Sequence, residues 1–121
     1  MTNIYADDDS HAIPRLTELD LVGKKITAGA DLIIVVSSPL GADERSQRRL
    51  LRKLENYLGF IESDEFSNEF GKPSPDTTSI IVKIHPQSHY AINVLIEKCK
   101  SWALEYNVTL IAEKLEQMPA A

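Results

Sequence analysis

The stretch DLIIVVSSPLGADERSQRRLLRKLENYLGFIE, residues 31–62, decides the fold. It opens on Ile33, Ile34, Val35 and Val36, a branched apolar run without alternation, which reads as a strand covered on both faces or a central strand of a small sheet (residues 31–37). Pro39 and Gly41 then break the chain. Asp43 or Ser38 can cap the next helix, and Glu44 falls in its positive first turn. Leu50, Leu54, Tyr57 and Ile61 recur at three-four spacing with Leu51 and Leu58 beside them, so residues 43–62 read as an amphipathic helix.

Working outward, SIIVKI (residues 79–84) is a further strand, residues 88–106 a second helix and residues 108–112 a last strand. The second helix buries Ile92, Leu95, Ile96, Cys99, Ala103 and Tyr106, with Trp102 at the margin of that stripe. Pro86 fits its first turn and Asn107 its stop. Upstream, Leu19, Leu21 and Ile26 suggest a first strand, joined to the next by a turn at TAGA, residues 27–30. Residues 63–76 carry Gly71, Pro73 and Pro75 and read as a loop, with room for one helical turn around Phe66 and Phe70. The order ββαβαβ predicts an α/β or α+β domain, a mixed sheet of about four strands with two helices packed on one face. Right-handed crossovers would make the last three strands parallel; the long loop leaves a reversed third strand open. The division expected is a flexible acidic arm over residues 1–15, one domain over 16–115 and a polar tail over 116–121.

The 121 residues, 43% hydrophobic and 26% charged, suit one globular domain. A single cysteine permits no internal disulfide. No apolar run approaches the roughly 20 residues of a membrane span, and the N-terminus lacks the pattern of a secretory signal. The expected setting is cytoplasmic, with no membrane association. The net charge of −5 argues against a nucleic-acid protein and favours encounter with a basic partner.

Three groups of residues could carry function. Parallel crossovers would bring the ends of two strands together, placing Ser38, His85 and His89 at an edge where helix amides favour a small anionic ligand. The glycine pattern of a phosphate loop is absent there, and the same residues serve equally as a cap and as solvated turn positions. Arg45, Arg48, Arg49 and Arg52 form a basic stripe on the outward side of the first helix, open to an anion or nucleic acid; a solvated face is the competing account, since no aromatic residue interleaves them. Tyr90 and Val94, with Leu104 further along and Trp102 at the edge, make an apolar patch of the kind a protein partner or a homodimer covers, although scattered apolar residues are ordinary on surfaces. Neither a catalytic residue nor a metal site or cofactor is expected. His85 and His89 are four apart but Pro86 intervenes, and His11 with Asp7 and Asp9 offers little from a loose arm. Cys99 reads as a core residue, not a nucleophile.

LLRKLENYLGFIESDEF, residues 50–66, resembles a segment of a family of small uncharacterised bacterial α/β proteins, in which a helix of the form L-x-x-L-x-x-K-x-x-x-Y-L-x-F-I-E-S-G-E precedes a strand, a helix and a strand. Tyr57, Leu58, Phe60, Ile61, Glu62, Ser63 and Glu65 match that form, and Asp64 departs from it where glycine is usual. The resemblance implies a bacterial α/β protein and transfers no site residue. The function expected is a non-enzymatic protein-interaction module, a toxin-neutralising immunity protein being one concrete version. The alternative is a small-anion binder or enzyme at the edge near Ser38 and His85.

Overall fold

The structure, a computed structural model, describes residues 3–25 and 28–116. Its order is β1 (Leu21–Lys24), β2 (Ala30–Val36), α1 (Glu44–Glu62), α2 (Asp64–Phe70), β3 (Thr78–Ile84), α3 (Tyr90–Glu105) and β4 (Thr109–Lys114). The four strands form one mixed sheet in the order β1-β2-β3-β4. β1 is antiparallel to β2, while β2, β3 and β4 are parallel, so the third strand is not reversed. The architecture is the expected one with a third helix added. Of the expected hairpin, Ile26 of the first strand and Thr27 of the turn lie outside the described residues.

The interior lies on one face. Leu32, Ile34 and Val36 of β2, Ile80, Val82 and Ile84 of β3, and Leu110 of β4 meet Leu50, Leu54, Leu58 and Ile61 of α1 and Ile92, Ile96 and Ala103 of α3. Strand residues between them point to the other face, where Ile33, Val35, Ile81, Lys83 and Ile111 are only half-buried. The uninterrupted Ile33–Val36 run is therefore not a strand covered twice.

Local chemistry explains the boundaries. Asp43, not Ser38, caps α1, its carboxylate accepting from the Ser46 amide at 3.0 Å. Ser63 ends α1 and starts α2: its amide donates to the Phe60 carbonyl and its hydroxyl accepts from the Phe66 amide. Phe66 and Phe70 are buried, and Phe66 meets Phe60 edge-on with centroids 5.6 Å apart, which turns one expected helical turn into a seven-residue helix. Pro86 precedes α3, whose cap is His89. At its far end Asn107 takes φ 62°, and the Val108 amide reaches back to the Ala103 carbonyl, a Schellman closure.

The N-terminal segment is not a loose arm in its described part. Ala12, Ile13 and Leu16 belong to the core. Asp8 and Pro14 close a loop through an amide-to-carbonyl bond of 2.9 Å, and donors from α1 hold the segment along its length. The acidic run is neutralised within the protein: Arg15 pairs with Asp7 and Asp9, and Arg45 with Asp8.

Two glycines separate strain from entropy. Gly29 has φ +95°, and an added Cβ would collide with the Thr77 carbonyl. Gly29→Ala is expected to cost about 2–4 kcal/mol in denaturant unfolding. Gly59 sits within α1 with open space around it, so Gly59→Ala should stabilise by about 0.5–1 kcal/mol.

Candidate functional site

The most elaborate constellation of polar side chains runs along α1. Arg49 is fully buried and Lys53 nearly so. A guanidinium in that position must use its donors inside the protein. Arg49 Nε donates to the Ile13 carbonyl at 3.1 Å, Nη1 to Ile4 and Ala6 at 2.8 and 2.7 Å, and Nη2 to Ile13 and to Pro14 at 3.2 Å. One turn on, Lys53 Nζ donates to the Arg15 carbonyl and to Asp20 Oδ1, both at 2.7 Å. Asn56 Nδ2 donates to the Leu16 carbonyl at 2.9 Å. A segment without regular structure thereby has its carbonyls satisfied by one helix.

The cluster continues to the sheet. β1 spans only part of β2, so β2 backbone groups beyond it need other partners. Asp20 Oδ2 accepts from the Val35 amide at 2.9 Å, and the Tyr57 hydroxyl donates to the Ile33 carbonyl at 3.2 Å while accepting from the Asp20 amide at 2.8 Å. Burial pushes the Tyr57 phenol well above its usual range, so it stays protonated. Lys53, Asp20 and Tyr57 resemble a proton-transfer group in composition, but their polar atoms are committed to backbone and to each other. They are positioning residues of the fold.

The four arginines are thus split. Arg49 is interior, which corrects its place on an outward stripe: it sits one position from Leu50, at the edge of the apolar face. Arg45 joins Asp8. Arg48 and Arg52 remain on the surface, Arg48 paired with Glu44 at 2.7 Å and Arg52 stacked 3.9 Å from the Tyr5 ring centroid. With Leu51, Glu55 and Trp102 they line a shallow cleft of about 340 Å³, so the structure joins two basic-stripe residues to one of the apolar-patch residues. Tyr90 and Val94 do not belong to it. They lie on the outer side of α3 with Leu104, 73%, 44% and 53% exposed respectively.

At the strand-end edge, His85 is buried and its Nδ1 accepts from the Gln87 amide at 3.1 Å. His89 Nδ1 accepts from the Ala91 amide as the α3 cap, and Ser88 Oγ accepts from the Leu40 amide. A depression of about 240 Å³ includes His85, Ser88, Asn93, Glu113 and Lys114; Ser38 and His89 are not in its lining. Among the described residues no group of three or more His, Cys, Asp or Glu side chains converges as a metal site would require. Cys99 is buried and its thiol is pushed up by burial, away from thiolate reactivity. Among the described residues no helix is long and apolar enough to cross a membrane.

The feature that sequence reading missed lies on the sheet face opposite the helices. Leu21 pairs with Ile33, Ile33 with Ile81 and Ile81 with Ile111, so four apolar side chains form one row across all four strands. Lys83 and Glu113 flank it on one side, Asp31 and Ser79 on the other. The alternation of Ile81 and Lys83 signalled this face; the Ile33–Val36 run hid it.

The chain matches no protein-family model, no curated protein and no solved structure.

The Arg49 constellation carries a stability prediction. Arg49→Met removes the donors to four carbonyls and should lower unfolding free energy by about 2–4 kcal/mol, and Arg49→Lys should lose less because an ammonium keeps some of them. Chemical denaturation of the three proteins checks the order.

Proposed function

We propose that this protein is a non-enzymatic protein-interaction module that receives its partner on the open face of its sheet. The single observation that carries the reading is the Leu21–Ile33–Ile81–Ile111 row, in register across four strands on the face away from the core that α1 and α3 share with the sheet. Ile33, Ile81 and Ile111 are half-buried and Leu21 is exposed, and a continuous apolar row of this kind is what partners bury. Leu21 is 56% exposed at one end, so the row can be reached from solvent.

Charge supports a basic partner. The N-terminal aspartates are paired internally, but Glu62, Asp64, Glu65 and Glu69, around α2, form no ion pair among the described residues. Together with the net charge of −5, these carboxylates would steer a basic surface toward the protein. A toxin-neutralising immunity protein of the bacterial cytoplasm is the concrete form of this proposal. The small-anion reading is weaker, because His85, Ser88 and His89 each accept a backbone amide and the depression beside them sets Glu113 next to Lys114.

A photo-crosslinking residue at position 81, with a control at Glu97 on α3, tests the proposal in the native host. The expected product is one basic protein, trapped from position 81 and not from 97 and lost at high salt. Ile81→Asp should weaken its binding at least tenfold, about 1.4 kcal/mol. Equal trapping from both positions, an acidic partner, or binding insensitive to Ile81→Asp would refute it.

A further inference from the structure

We propose that the loop closed by Asp8 and Pro14 is an acid-sensitive strap latched by His11, which opens below neutral pH while the sheet and helices stay folded. The latch is built on one tautomer. His11 Nδ1 accepts from the Ile13 amide at 2.9 Å, so it must be unprotonated. The proton of the neutral ring is then on Nε2, which lies 3.0 Å from Ser46 Oγ and donates to it. Ser46 is itself held at the start of α1, where its amide donates to the Asp43 carboxylate that caps the helix at 3.0 Å. The arm is thus fastened to the start of α1 through an imidazole that cannot gain a proton without losing its bond: a second N–H would point at the Ile13 N–H.

The surroundings reinforce this. Arg49 and Arg45 of α1, Asp43 at its cap and Asp8 of the arm are the charged groups that act on the ring. Burial and then the two guanidinium groups hold the ring below its ordinary value of 6.5, against the opposing pull of the two carboxylates. The closed strap favours the neutral ring, and the open strap has an ordinary one. The closed form is therefore fully favoured above pH 6.5 and loses ground as pH falls from there toward the lowered value. One proton taken up on opening makes the open-to-closed ratio rise at most tenfold per pH unit. Opening would uncover the Arg49 guanidinium and the seat of Ile13 on α1, surfaces distinct from the open sheet face.

Amide hydrogen exchange of the full chain between pH 7.5 and 5, corrected for intrinsic rates, tests the strap. The protection of the Ile13 amide should fall by several-fold to tenfold between pH 6.5 and 5.5, while Ile34 and Val82 amides keep theirs. His11→Asn places an acceptor oxygen where Nδ1 stands and does not titrate, so its Ile13 protection should be flat over that range. In His11→Ala protection should be low throughout. Flat protection in the native protein, an unchanged pH dependence in His11→Asn, or parallel loss at Ile34 and Val82 would each overturn the proposal.

Discussion

Parallel succession is the constraint on which the rest of this molecule depends. β2, β3 and β4 are laid side by side in chain order and point the same way. Crossovers of one hand between strands added in one direction bring every connecting helix to the same side of the sheet. Both α1 and α3 therefore bury their stripes against Leu32, Ile34, Val36, Ile80, Val82 and Leu110. A doubly wound sheet would reverse its strand order and cover both faces. Among the described residues this one does neither, and the residues of its second face stay half-buried or exposed.

The N-terminal segment poses the opposite problem, a stretch with few hydrogen bonds of its own lying on the helix layer. Its apolar anchors, Ala12, Ile13 and Leu16, supply burial, but buried backbone carbonyls need donors. α1 provides them at successive turns from Arg49, Lys53 and Asn56. Asp20 and Tyr57 extend the same solution to β2, at Val35 beyond the reach of β1 and at Ile33 where the pairing with β1 ends. Buried cations are costly unless every donor is used, and here they hold segments distant in sequence in a single arrangement. That commitment is also the reason these groups are poor candidates for chemistry.

Most of the architecture was legible in the residues. The periodicity of Leu50, Leu54, Tyr57 and Ile61 and the runs DLIIVVS and SIIVKI were enough for element order and sheet type. Three things were not. Arg49 reads as surface because charge outweighs position in a helical pattern; its adjacency to Leu50 was the available signal, and only the carbonyls of a distant segment explain the burial of Arg49 and of Lys53 one turn on. The row on the open face was equally hidden, since register between strands far apart in sequence is a tertiary property. Ser63 with Asp64 and Glu65 behind it was a helix-start signal, outweighed by the prolines further along.

The central claim is that this sheet has one interior face and one available face. Single cysteines placed along β3, in a Cys99→Ala background, measure it directly. Cysteines replacing Ile81 and Lys83 should react with a water-soluble thiol reagent in the folded protein, whereas those replacing Ile80 and Val82 should react only as fast as the protein unfolds. Equal protection at all four positions would mean the second face is already covered, and the opposite alternation would place the interior on the wrong side of the sheet.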